Sequence, residues 1–253
     1  MERAAVVLTT FICVFSASFF LFTSRDPYQA AAHKGVEWLL SYPEEYKNPG
    51  VFWALKEVAG THCNSNELEK KLTERFESIP RSEVERAYFY FPEAPISEDA
   101  RIASTTARYD QWLLAALSCK ERPLPPDVRD ALAARETSRG YDLTHRYLAL
   151  SYIKRLGCRL EDDLLDTRIA GIETALRDEE VQSEAFTDLS AERAALLLWG
   201  GRQDLVSDTW LLKIKGAQGP TGGWGDRESA IPNPHTTALA TWALAQASGR
   251  CPL

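Results

Sequence analysis

No stretch of this sequence is densely basic, and the chain carries a net charge of −7. A nucleic-acid surface needs a basic stripe, so nucleic acid is not expected as a partner. Runs of alternating β-branched and polar residues bounded by turns are also missing, so strands are not expected. There is no G-x-S-x-G turn, no glycine-rich phosphate loop and no distinguishable Ser/His/Asp order, which leaves hydrolase and nucleotide-binding chemistry without support. Histidine is scarce, with four in 253 residues, so the position of each is informative. Long uncharged apolar runs are absent after residue 22.

The single long run is Ala4 to Phe22 (AAVVLTTFICVFSASFFLF), without a charge. A bilayer-spanning helix needs about 20 such residues, so residues 1–25 are expected to be a signal-anchor or a cleaved signal peptide. That places the rest on one side of a membrane: an extracytoplasmic domain on a single-pass anchor, or a secreted or periplasmic protein after cleavage. Cys13 lacks the small preceding residue of a lipid-attachment site and reads as part of the apolar run. With 45% hydrophobic and 26% charged residues, the remainder, 26–253, is long enough to bury one sizeable core.

Helical spacing dominates that remainder. Tyr28–Ser41 and Val51–Ala59 make a first hairpin, and Asn66–Glu77 with Thr106–Cys119 a second. Pro126–Arg135 with Asp142–Leu156, Asp162–Arg177 with Leu189–Trp199, and Asp204–Lys215 with Thr236–Ser248 complete five pairs. In each pair the first helix is the more charged and the second the richer in Ala and Leu, which predicts an outer and an inner layer. The inner helices recur at a period typical of repeat architectures, and the period alone fits a straight solenoid or a closed ring.

The last repeat narrows the choice. In WLLKIKGAQGPTGGWG stand Trp210-Leu211, Gln218, Gly222, Gly223 and Trp224, followed by HTTALATWAL from His235 to Leu244. The segment resembles the QW motif of squalene-hopene and oxidosqualene cyclases, and a partial echo, KGVEWLL, opens the first repeat at Lys34. The resemblance implies an all-α, αα-toroid fold, here an incomplete α/α barrel of about five helical hairpins. Gly222 and Gly223 allow a tight turn, and Gln218 and Trp224 suit staples between repeats.

The chemistry of that superfamily does not carry over with the fold. No D-x-D-D proton donor is present, and no D-x-C partner accompanies His235, so zinc is not implied. Asp162-Asp163-Leu164-Leu165-Asp166 spells the magnesium-binding D-D-x-x-D, but at a helix start, where carboxylates complement the dipole.

In such a toroid the starts of the inner helices share one face, gathering Asp110, Asp142, His145, Asp188, Glu192 and His235, with Trp224 on the adjacent loop. Asp142 and His145 are spaced i, i+3, on one side of a first turn. Asp142 and Asp188 also suit helix capping. The set offers transition-metal binding, acid–base catalysis, or plain hydrogen bonding. Asp142, His145, Asp188, Trp224 and His235 are the candidate ligand residues; no cofactor is indicated. Trp112, Trp199 and Trp242 read as core, and Tyr88–Phe91 as a lipid-accepting mouth or a packed loop.

The four later cysteines each end a second helix. In a toroid Cys119 and Cys158 belong to consecutive hairpins and are expected to pair, whereas Cys63 and Cys251 meet only if the ring closes. The functional expectation is a membrane-associated toroid binding an apolar or isoprenoid-like ligand in a central cavity, with or without enzyme activity. The alternative is a non-enzymatic scaffold that docks a partner protein through the toroid face.

Overall fold

The computed structural model describes residues 26–41, 49–60, 66–78, 108–134, 139–160, 164–226, 231–249 and 252. Among these there are ten α-helices and no strand, so the chain is all-α. In chain order they are α1 (Pro27–Ser41), α2 (Pro49–Val58), α3 (Asn66–Glu77), α4 (Arg108–Leu117) and α5 (Pro126–Ala133). Then come α6 (Tyr141–Arg155), α7 (Leu165–Val181), α8 (Asp188–Trp199), α9 (Asp208–Gly216) and α10 (Pro234–Ser248).

Local chemistry sets the ends. Proline opens α1, α2, α5 and α10, where its missing N–H has no intrahelical partner to lose. The side chains of Thr187, Ser207 and Asn233 cap α8, α9 and α10 by accepting from the N–H groups of Ser190, Trp210 and Thr236 at 3.1, 3.3 and 2.9 Å. Two spans differ from the sequence expectation. Helix α7 starts at Leu165 rather than Asp162 and continues past Arg177 to Val181. Its Asp178-Glu179-Glu180 end opposes the helix dipole, but Arg193 pairs with Glu179 and Glu180, and Lys213 with Glu180, which offsets that cost. Gln203–Leu205 forms a separate 3₁₀ turn, and Ser207 starts α9 after it.

Burial alternates along the chain. Helix α7 buries one stripe, Ile169, Ile172, Glu173, Leu176 and Glu180, and α9 buries Trp210, Leu211 and Ile214. By contrast α8 is buried from Ser190 to Leu198, α10 from Thr236 to Ala245 and α6 from Arg146 to Ile153. A helix enclosed on every side needs an apolar surface all round, which the Ala- and Leu-rich second helices supply. Helix α10 packs against α1, α2, α8 and α9, and α6 against α4, α7 and α8. The first and last helices of the described chain are therefore direct neighbours. Four of these helices converge on a cluster of rings: Trp53 lies 4.7 Å from Trp242, 5.8 Å from Trp199 and 6.3 Å from Tyr152, centroid to centroid. Trp112 is buried as expected of core.

A turn of the last repeat closes the α1–α10 contact. Gln218 donates through Nε2 to the carbonyls of Ala31 and Gly222, both at 2.8 Å. Trp224 is fully buried and donates its indole N–H to the Ile214 carbonyl at 2.7 Å. Gly222 has φ 99°, and a β-carbon there would lie 2.7 Å from the Lys34 carbonyl oxygen. At Gly223 it would lie 2.7 Å from Pro232 and 2.8 Å from the Trp38 ring. The paired glycines are thus required by contact with α1 as well as by the turn.

The membrane anchor is a correction. No helix among the described residues is long and apolar enough to cross a membrane. The longest, α7, has 17 residues and is charged throughout. Residues 4–22 lie outside the described residues, as do Tyr88–Phe91, Cys63 and Cys251. The single-pass anchor, and the extracytoplasmic placement that depended on it, are not supported. Cys119 and Cys158 form a disulfide with Cα atoms 6.1 Å apart, joining the segments that follow α4 and α6.

Two outcomes follow from this packing. At an open helix site Gly→Ala gains about 1 kcal/mol, but the β-carbon of Gly35→Ala would fall 2.1 Å from Thr241 Oγ1 and 2.9 Å from the Trp224 ring. Overpacking of this kind costs about 1–3 kcal/mol, so the variant should lower the urea midpoint, and a raised midpoint would show that the α1–α10 contact is looser than described. Reducing the disulfide, whose residues are 39 apart in sequence, should remove up to about 4 kcal/mol in the chain-entropy model, read as a lower melting temperature with dithiothreitol than without.

Candidate functional site

The starts of α6, α8 and α10 come together around the carboxylate of Asp188. Thr187 occupies the cap position of α8, so Asp188 is its first helical residue and its side chain is not used as a cap. The caps expected of Asp188 and Asp142 are therefore corrected: Gly140 occupies the cap position of α6 and Asp142 lies in its first turn. Freed from capping, the Asp188 carboxylate accepts from His235 Nδ1 at 3.0 Å, Thr236 Oγ1 at 2.6 Å and Tyr141 OH at 2.9 Å. Its backbone N–H donates to the Asp226 carboxylate at 3.0 Å.

One turn further along α8, Glu192 is buried. Its Oε1 is 3.7 Å from His145 Nδ1, and its Oε2 has no hydrogen-bond partner among the described residues. His145 Nδ1 is 2.9 Å from the Tyr141 carbonyl, and the ring stacks on Tyr109 with centroids 4.6 Å apart. A carbonyl and a carboxylate at these distances only accept, so both imidazoles carry a proton on Nδ1. Among the described residues Nε2 of neither ring has a partner. This is the arrangement of a positioned base, an imidazole fixed through one nitrogen and open at the other.

The charges separate in a consistent direction. Burial alone would raise the Asp188 carboxyl, but the hydrogen bond and charge of His235, with the Thr236 and Tyr141 hydroxyls, hold it below the usual carboxylate range. Burial likewise works against His235, yet the bond and charge from Asp188 and the charge on Glu192 raise the imidazole above its ordinary value. Burial pushes Glu192 up, with the charges on His145 and His235 and a hydrogen bond from the Thr144 hydroxyl acting the other way. Tyr141 is raised by burial and by Asp188.

Of the residues expected at this end, the structure brings together Asp188, Glu192, His145 and His235. None of these four is bonded to Asp142, and the side chain of Asp110 lies outside the described residues. Trp224 belongs to the α1 contact and has no exposed surface. The relevant partner of His145 within α6 is Tyr141 at i, i+4, not Asp142 at i, i+3. Tyr109, Tyr141, Thr236 and Asp226 were missed; the i, i+4 pairs Tyr141/His145 and Asp188/Glu192 were the readable signal. No group of three His, Cys, Asp or Glu among the described residues is arranged to hold a metal. In the D-D-x-x-D segment, Asp166 pairs with Lys154 at 2.7 Å on the surface, while Asp162 and Asp163 lie outside the described residues.

No family model matches the chain, and neither a curated protein nor a solved structure matches it. No homologue therefore stands behind the cyclase resemblance or its QW motif, and Trp210, Gln218, Gly222, Gly223 and Trp224 are understood through their own contacts.

The ion pair makes a pH prediction. Asp188, held low, contributes stability above the ordinary carboxylate value near 4 that is lost as pH falls through its folded value. His235, held high, contributes stability that is whole below about pH 6.5 and fades as pH rises through its folded value. The pair therefore counts most between about pH 4 and 6.5. The His235 side chain is 39% exposed, so the stability lost in His235→Gln should be about 1 kcal/mol in that window and smaller at pH 9. Urea unfolding at both pH values measures this, and equal losses would rule out the ion pair.

Proposed function

We propose that this chain is a small αα-toroid that binds a ligand where α6, α8 and α10 begin, with Asp188–His235 as a base that moves a proton to or from it. The observation that carries the reading is the pair itself: a buried carboxylate fixing an imidazole through Nδ1 at 3.0 Å, with Nε2 open. A merely structural histidine gains most by using both nitrogens, whereas one nitrogen left open serves an incoming group.

Support for the ring comes from two features. The polar groups Tyr141, Asp188 and His235 stand at the starts of three helices, and the rings of Tyr152, Trp199 and Trp242 lie toward their other ends. The three helices therefore run in the same sense, each preceded by a less buried partner, and the meeting of α1 with α10 brings the first hairpin to the last. These features support a ring of the kind the cyclase and prenyltransferase toroids form, here without their catalytic motifs. Trp53, Tyr152, Trp199 and Trp242 pack on one another at one end, so the ligand is assigned to the opposite, polar end. Any apolar or isoprenoid-like body would rest against Tyr109 and Tyr141, whose rings flank His145.

Thermal-shift screening of a small-molecule library against the full chain, repeated on His235→Gln, tests the reading. A true ligand at 100 times its dissociation constant contributes about 2.7 kcal/mol, a rise of several degrees for a chain of this size. Hits should stabilise the parent chain and lose most of that shift in the variant. Hits that stabilise both equally, or none at all, would leave the toroid as a scaffold for a protein partner.

A further inference from the structure

We infer that the ligand of the Asp188–His235–Glu192 cluster is held through a protonated amine. The inference rests on the reading of this end as a ligand site and adds the ligand's chemical class.

The hydrogen-bonding inventory is one-sided. The donors of the cluster are already engaged: Tyr141 OH and Thr236 Oγ1 with Asp188, Thr144 Oγ1 with the Tyr141 carbonyl at 3.1 Å and with the Glu192 carboxyl, and both imidazole Nδ1 protons with oxygen. With the rings neutral, the spare groups are all acceptors: His145 Nε2, His235 Nε2 and Glu192 Oε2. Glu192 is only 7% exposed, and its Oε2 has no partner among the described residues. A buried acceptor left without a donor costs about 1–3 kcal/mol, so this oxygen marks where a donor belongs. Its own Oε1 faces His145, which directs the carboxyl into the cluster.

Charge and shape select among donors. Asp188 and Glu192 put two carboxyls beside the two imidazoles, so a phosphate or carboxylate would meet like charge there. A hydroxyl would bring one hydrogen and no charge. An ammonium brings three hydrogens and a positive charge, which suits acceptors and carboxyls together. Protonating His235 turns its Nε2 into a donor and adds a like charge. The charged groups acting on it are Asp188 and Glu192 from α8; Tyr141 from α6 shares the Asp188 carboxylate with it, and Asp226, from the segment before α10, accepts from the Asp188 backbone N–H. Amine binding should therefore strengthen as pH rises through the His235 titration, and ionisation of Glu192 acts in the same direction.

The experiment uses the full chain with n-butylammonium, n-butanol and butyrate as matched probes, and zinc as a metal control. Histidine ring resonances and calorimetry are the readouts. n-Butylammonium should shift the His145 and His235 rings saturably, at least tenfold more tightly at pH 8 than at pH 5.5. Glu192→Gln, which keeps the shape of the side chain, should weaken it by at least tenfold, the scale of one charge-assisted hydrogen bond. The pH dependence of the parent chain decides the matter if the variant does not fold. Butanol or butyrate binding as tightly as the amine, affinity unchanged in Glu192→Gln, or zinc shifting both rings at lower concentration would each overturn the amine and leave the ligand site. Failure of every probe to move either ring would remove the site as well.

Discussion

Helix α10 has no free face from Thr236 to Ala245, and the rest of the described structure is arranged by that enclosure. A helix surrounded by α1, α2, α8 and α9 loses its water on all sides, so its backbone must be satisfied internally and its side chains must be small or apolar. The sequence PHTTALATWALAQAS meets this with alanines where neighbours approach and Trp242 where the ring cluster needs bulk. The close approach is mutual. Gly35 of α1 accepts Thr241 and the Trp224 ring at distances that no other residue would allow. Gln218 then ties the preceding turn to a carbonyl of α1.

The same helices carry opposite chemistry at their two ends. Asp188 lies at the start of α8, where the helix dipole favours a negative charge, and His235 near the start of α10, where it disfavours a positive one. The two meet at 3.0 Å, and the direct contact outweighs the dipole term, raising the imidazole above its ordinary value. At the other end Arg155 donates to the Trp199 carbonyl at 2.9 Å and lies 3.5 Å above its ring, while the Trp199 indole donates to Glu57 at 3.1 Å. Burial raises the Glu57 carboxyl, and those cationic and hydrogen-bonding neighbours limit the rise. At each end polar groups from different helices bond to one another, which ties the helices together.

The layering was legible because burial on every side and burial on one stripe leave different patterns in composition and spacing. Helix α8 reads as enclosed from AALLLW alone, and α7 as an outer helix from its charges. Acidic residues near helix starts are ambiguous. Asp162 suits the start of a helix that begins at Leu165, and Asp142 and Asp188 suit caps that Gly140 and Thr187 occupy. A carboxylate near a helix start is favourable in several adjacent positions, so local signals cannot choose among them. The apolar run at Ala4 to Phe22 is legible as an aptitude for lipid through length and hydropathy alone; it lies outside the described residues, among which no helix is long and apolar enough to cross a membrane.

By itself the sequence determined the helical class, the alternation of enclosed and half-exposed helices, and the presence of ionisable residues at the starts of the enclosed ones. These follow from periodicity and composition, which act over a few turns. Only the tertiary structure decided that Asp188 meets His235 and Thr236 across 47 and 48 residues, that Tyr141 rather than Asp142 joins them, and that Glu192 Oε2 is left without a donor. Hydrogen bonds a few ångströms long depend on the rotation and axial offset of packed helices. Those are set by side-chain volumes such as the missing β-carbon of Gly35 and the ring of Trp224, summed over the whole core.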